Sequence, residues 1–95
     1  MKKGTLTKEA PESTVFYFIG SCNILAKGKG TLTIERDLGT GFEVMTNSDG
    51  VPMIFTDTSG SGMLFNNTIE SIKKTPHRLV GSNGDIEYVI SAEER

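Results

Sequence analysis

The sequence predicts an all-β fold: a small antiparallel meander of about six or seven short strands, forming a barrel-like roll or a sandwich. Composition is the first reason. Gly accounts for 11 of the 95 residues, and both Thr and Ser are frequent; such a composition favours strands and turns. Several segments alternate apolar and polar residues, as strands with one buried face do. Turn-forming dipeptides separate these segments at fairly regular spacing.

The ends of the chain are polar. Residues 1–12 are predicted to be a flexible N-terminal tail, residues 13–91 a single β domain, and residues 92–95 a charged C-terminal tail. The domain begins with Val15–Ile19, the most apolar run, whose length fits a strand with both faces at least partly covered. A second short strand is predicted over residues 22–27.

The middle of the chain predicts a hairpin. Thr31–Arg36 places Leu and Ile on one face and Thr and Glu on the other, and residues 42–46 alternate in the same way. The Asp-Gly pair in Asn47–Gly50 then favours a tight turn. Val51–Thr56 follows as a strand that lies at an edge or starts late, because Pro52 has no N–H to donate.

Residues 57–75 contain the best loop and the most ambiguous segment. Asp57–Gly62 is small and polar, and the short apolar segment Met63–Phe65 follows it. A strand over Thr68–Lys74 is preferred, with a short helix near 67–75, and hence an α+β fold, as the alternative. A helix there would end before Pro76 and span only about two turns.

The last pair of segments predicts a second hairpin. Arg78–Ser82 and Asp85–Ser91 are separated by Asn83-Gly84, the strongest short turn signal in the chain. Ile86, Tyr88 and Ile90 alternate along one face of its second strand.

Charge and composition argue against several classes of protein. The net charge is −2 with no basic stripe, which argues against nucleic acid as a partner. No apolar run approaches the ~20 residues that cross a bilayer, and no secretion signal follows the N-terminal lysines. We therefore expect a cytoplasmic protein without membrane contact. A chain this short gains from burying surface against a second copy, so a homo-oligomer is expected.

Phe55–Gly60 resembles the Asp-Thr/Ser-Gly active-site loop of aspartic proteases, in which two aspartates activate water. Ser59 stands where that family carries Gly, and the resemblance covers only this short stretch. We interpret Asp57 as a turn residue that binds its own backbone.

The remaining candidates for chemistry are few. Cys22 and His77 are the only Cys and His; we expect the first to be a buried small side chain and the second to be solvated in a turn. They cannot close a zinc site within one chain. Gly28-Lys29-Gly30 lacks the further residues of a phosphate-binding loop. No metal and no cofactor are predicted.

The function predicted is that of a non-enzymatic binding module acting through loop tips and sheet edges, with another protein or itself as partner. One alternative is a self-assembling structural subunit, and another is a small inhibitor or regulator of a host enzyme or nucleoprotein complex. The candidate binding residues are Asp57, Thr58, Ser59, Met63, Phe65, His77 and Arg78.

Overall fold

A computed structural model describes residues 1–82 and 84–92 of the chain. These residues form one antiparallel sheet of seven strands and contain no helix. The strands are β1 (Lys2–Leu6), β2 (Phe16–Gly28), β3 (Thr31–Asp37), β4 (Phe42–Val44), β5 (Ile54–Thr56), β6 (Met63–Ser82) and β7 (Ile86–Ala92). The all-β prediction is confirmed, and the alternative helix near 67–75 is wrong because that segment pairs with β2.

The strand order is β1-β7-β2-β6-β3-β4. β4 pairs with residues 35–37 of β3, and β5 pairs with residues 31–33 of the same strand. The predicted hairpin of β3 with β4 is present. The predicted hairpin of Arg78–Ser82 with Asp85–Ser91 is wrong, since β7 pairs with β1 and β2 and the end of β6 pairs with β3. Pairing between distant strands overrides the local turn signal here. Asn83 itself lies outside the described residues.

Two strands are longer than the sequence predicted and carry the fold. β2 has 13 residues and β6 has 20. β6 pairs with β2 from Met63 to His77 and with β3 from His77 to Ser82. Beyond this change of partner the sheet curls, so that the end of β6 approaches β1. The close approach is seen at Gly81, where an added Cβ would lie 3.1 Å from Cβ of Leu6 on β1.

The core fills the inside of this curled sheet. Inward residues alternate at the start of β2, where Phe16 and Phe18 are buried while Tyr17 and Ile19 are exposed. Its other apolar members are Leu6, Cys22, Ile24, Ala26, Leu32, Ile34, Met53, Phe65, Ile69, Leu79, Ile86, Tyr88 and Ile90. One continuous apolar cluster therefore holds all of the longer strands together.

The prediction of a flexible tail over residues 1–12 is wrong. Lys2–Leu6 pairs with β7 along its whole length, and Leu6 is only 1% exposed. Further along, the Gly81 N–H donates to the Pro11 carbonyl at 2.7 Å. This polar segment is held by the buried side chain of Leu6 and by pairing with the edge of β7. Because the segment shows no alternation of apolar and polar residues, the sequence did not predict this strand. Of the predicted tail 92–95, Ala92 ends β7 and residues 93–95 lie outside the described part.

The turn at Asn47–Gly50 forms as predicted. The Asn47 N–H donates to the Val51 carbonyl at 2.9 Å, and Gly50 has a φ of +78°. β5 starts at Ile54, after Pro52, and pairs only with β3, as expected for a strand that begins late at an edge.

Candidate functional site

The predicted binding residues fall at the two ends of β6. The loop Asp57–Gly62 leads into Met63, which starts the strand, whereas His77 and Arg78 lie in its last third. We call these regions the Met63 end and the His77 end. The seven candidates therefore do not form one site.

The loop at the Met63 end is held by its own hydrogen bonds. Asp57 Oδ1 accepts from the Ser59 hydroxyl at 2.7 Å and from the Ser59 N–H at 3.0 Å, and Oδ2 accepts from the Gly62 N–H at 3.0 Å. The Ser59 hydroxyl is the main reason that the pKa of Asp57 is lowered. Asp57 acts as the predicted turn residue.

The other candidates at this end differ in exposure. Thr58 and Ser59 are exposed, and Met63 is half-buried. Phe65 is 8% exposed, and its ring centroid lies 4.3 Å from that of Phe55. Phe65 is thus part of the core and is not available to a partner.

Arg78 is engaged within the chain. Its Nη1 lies 2.8 Å from Glu12 Oε2, its Nε donates to Glu35 Oε1 at 2.6 Å, and its guanidinium lies 4.2 Å above the Phe42 ring centroid. The side chain ties the segment before β2 to β3 and β4, so its charge is already paired.

The prediction that His77 is solvated is wrong, since its side chain is fully buried. It points to the inner face of β6, with its ring 4.6 Å from Phe18 and 5.7 Å from Phe16. Burial, and to a smaller extent the charge of Arg36, lowers the pKa of His77 to about 4. The neutral ring donates from Nδ1 to the Thr75 carbonyl at 2.7 Å and accepts at Nε2 from Arg36 Nε at 3.0 Å.

Polar groups gather on the inner face at this end. The buried polar side chains in the described part of the chain are Ser71, Thr75 and His77, all on β6. The alternating apolar pattern of the inner face therefore becomes polar between residues 71 and 77. Buried polar groups cost free energy unless they are hydrogen-bonded, so such a concentration is informative.

A β-bulge explains part of this polarity. Ile19 of β2 faces three residues of β6, 72–74, because the register shifts between Phe18 and Gly20. Gly20 has a φ of +91°, which side-chain-bearing residues rarely adopt. The hydroxyls of Ser71 and Thr75 both donate to the Lys73 carbonyl inside the bulge. Bulges often occur beside functional sites.

The bulge forms one wall of an open cleft of about 710 Å³. Gly20 and Ser21 of β2 and Arg36 with Leu38 from the end of β3 form the other walls. We call this region the bulge cleft. It lies where β6 diverges from β3 beyond the Arg36–His77 pairing.

Arg36 is the residue that sequence reasoning missed. Its Nη2 donates to the Glu70 carbonyl at 2.9 Å, and no carboxylate in the described part of the chain pairs with it. Burial lowers the pKa of Arg36. One signal was visible: in Thr31–Arg36 the inward positions are Leu32, Ile34 and then Arg36, a charge in a core-facing position.

Two further clefts lie along β2, β6 and β7. One of about 460 Å³ is lined by Leu25, Leu64 and Val89 among others, and one of about 890 Å³ by Lys29, Gly62 and Met63 among others. Neither is lined by Ser71, Thr75 or His77, the buried polar side chains of β6. The bulge cleft is therefore the stronger candidate site.

Other kinds of site lack support in the described residues. No three His, Cys, Asp or Glu side chains converge there to hold a metal ion. Burial raises the pKa of Cys22 to about 11, so its thiol is a poor nucleophile at neutral pH. Nor do residues 1–82 and 84–92 include a helix with the length and apolarity needed to span a membrane.

Comparisons with protein-family models, with curated proteins and with solved structures found no match to this chain.

Proposed function

We propose that this chain is a non-enzymatic binding module whose site is the bulge cleft and whose partner is another protein. The observation that carries this proposal is the partly buried guanidinium of Arg36, which has no carboxylate partner in the described residues. Removing a cation from water without pairing it is costly. Such a group is explained if a partner supplies the missing negative charge.

The chemistry of the lining supports binding over catalysis. Glu70 is the one carboxylate among the lining residues, which include neither Cys nor His. Both ring nitrogens of the nearby His77 are engaged by Thr75 and Arg36, and the ring is neutral at physiological pH. The side chain that most often performs general acid–base catalysis is His, and no His lines the cleft.

The rim of the cleft supports a protein partner. Leu38 and Ile72 line it and are 76% and 93% exposed. Apolar side chains beside a partly buried arginine resemble the composition of protein interfaces, where Arg is enriched.

A capture experiment tests the proposal. The wild-type chain, Arg36→Gln and the control Lys8→Gln, which alters an exposed residue outside the cleft, serve as immobilised baits for a lysate of the native host. We expect a protein that wild type and Lys8→Gln retain equally and that Arg36→Gln loses by about tenfold or more. Thermal unfolding checks that each bait is folded. Equal recovery on all three baits contradicts the proposal.

Self-association is a second candidate, favoured by a separate observation. Tyr17 and Ile19 on the outer face of β2, and Val15 just before this strand, are 53%, 37% and 38% exposed, with no charged residue between them. A row of apolar side chains at this exposure fits burial against a second copy. Sedimentation velocity of wild type and Tyr17→Ser tests it: a dimer lost in the variant supports self-association, and a monomer at all concentrations contradicts it.

A further inference from the structure

We infer that the bulge cleft recognises a carboxylate attached to an apolar group, as at the carboxy terminus of a protein whose last residue is apolar. This inference rests on the proposed function and names the chemistry of the ligand. It follows from the geometry of Arg36, from the neutrality of the group that orients it, and from the side chains at the rim.

The hydrogen bonds of Arg36 leave one edge of its guanidinium unused. Nε donates to His77 Nε2 and one N–H of Nη2 donates to the Glu70 carbonyl. In the described part of the chain, Nη1 and the second N–H of Nη2 have no acceptor. These N–H groups form a planar fork that matches the two oxygens of a carboxylate.

His77 fixes the orientation of Arg36 without cancelling its charge. Because its Nδ1 donates to the Thr75 carbonyl, its Nε2 carries a lone pair and accepts from Arg36. An Asp or Glu in the same place would orient the guanidinium equally well but would neutralise it. A neutral acceptor keeps the full positive charge for a ligand.

The remaining lining adds a second positive charge and apolar side chains. Lys73 is the second basic residue in the lining, and Glu70 contributes the backbone carbonyl that accepts from Arg36. Leu38 and Ile72 then offer contact for an apolar substituent beside the carboxylate.

Three probes test the inference and distinguish its two sources of carboxylate. They are the peptide acetyl-GSGAL with a free C-terminus, the same peptide as its C-terminal amide, and 4-methylpentanoate, a small apolar acid. Each is titrated into the ¹⁵N-labelled full chain, and amide shifts are followed by NMR. We expect the free-acid peptide to shift the amides of Gly20, Arg36 and residues 71–73, and the amide form to bind about tenfold or more weakly.

The relative affinities of the three probes support or overturn the inference. Tighter binding of the free-acid peptide than of 4-methylpentanoate supports a protein terminus, and equal binding supports a small acid as the source of the same carboxylate chemistry. Equal binding of the peptide acid and its amide overturns the inference, as does the absence of binding by all three probes.

Two variants locate the contact. Arg36→Lys keeps the charge but removes the fork, and we expect it to weaken binding of the free-acid peptide about tenfold. Ile72→Ser changes a residue that is 93% exposed, so the fold is retained, and it should weaken binding several-fold. Leu64→Ser, on the same strand and 73% exposed but outside the cleft, is the matched control and should bind as wild type does.

The two proposals fail separately. If protein capture depends on Arg36 but no carboxylate probe binds, the carboxylate inference is wrong and the proposed site stands. If the probes bind through Arg36 but capture does not depend on it, the proposed protein partner is wrong and the carboxylate site stands.

Discussion

The two ends of β6 contrast in where their polar groups lie. At the Met63 end the polar groups are in an exposed loop, and Asp57 satisfies the loop backbone while apolar Phe65 lies beneath. At the His77 end they lie on the inner face, where His77 is fully buried. The first arrangement is the ordinary chemistry of a turn, whereas the second is costly and therefore points to function.

The contrast also concerns charge. The carboxylate of Asp57 is surrounded by donors of its own loop, so it offers little to a ligand. Arg36 retains N–H groups without acceptors in the described residues, and its neighbour His77 is neutral. A polar loop is easily recognised in a sequence as a candidate site. A charged residue at an inward-facing strand position, such as Arg36, is the stronger indication of a functional site.

The largest effect is expected from His77→Ala at the buried polar end. The change removes ring contacts with Phe16 and Phe18 and leaves Arg36 Nε and the Thr75 carbonyl without their partner. We expect a loss of about 4 kcal/mol in the free energy of unfolding. Urea unfolding followed by circular dichroism measures it. Phe65→Ala at the Met63 end is the comparison, with an expected loss of about 3 kcal/mol; a loss below about 1 kcal/mol for His77→Ala would refute the buried placement.

Gly28→Ala tests close packing at the Met63 end and is the next largest. Gly28 pairs with Met63 and Ile86, and a Cβ there would overlap the Asp85 carbonyl oxygen. Because backbone atoms cannot move aside easily, we expect a loss of about 3 kcal/mol. Gly39→Ala is the control, since Gly39 also has a positive φ but no atom lies within 4 Å of its Cβ position. Equal losses in the two variants would show that backbone strain, not close approach, decides the effect.

Acid should act on the His77 end. The folded-state pKa of His77 is about 4, below its ordinary value of 6.5, so the unfolded chain binds the proton first. The stability that depends on neutral His77 is complete above pH 6.5 and is lost as the pH falls from there towards 4. We expect about 2 kcal/mol to be lost between pH 7 and pH 5. Chemical unfolding at a series of pH values should show this loss in wild type and in Phe65→Ala but not in His77→Ala.

Some of the features that these variants test could be predicted from the sequence, and others could not. The period-two pattern of Thr31–Arg36 predicted β3 and its hairpin, because one buried face imposes alternation along a strand. The partners of β2 and β7 are set by contacts between distant strands, so the local Asn-Gly turn gave the wrong pairing. His77 follows Pro76, which argued for a turn, whereas the structure keeps both within β6.

The candidate site could be predicted only in part. The alternation of β3 indicates that Arg36 faces inward. Its acceptor, the neutral His77, lies on β6, which is far from β3 in the sequence but pairs with it in the sheet. The bulge at residues 72–74 arises from a register shift against β2 that no local pattern marks. Sites assembled between strands in this way require the pairing to be known first.

The smallest effect is expected from Asp57→Ala in the exposed loop. The substitution removes acceptors for the N–H groups of Ser59 and Gly62, so the loop loosens while Phe65 and the core beneath it stay packed. We expect faster hydrogen exchange at those two amides, measured by NMR, with global stability falling less than in any variant above. Binding of acetyl-GSGAL at the bulge cleft should be unchanged, because no residue of the loop Asp57–Gly62 lines the cleft, whose β6 residues are 70–73 and 75. A loss of peptide binding in Asp57→Ala would show that the loop and the bulge cleft belong to one site, and the distinction between the two ends of β6 would then be wrong.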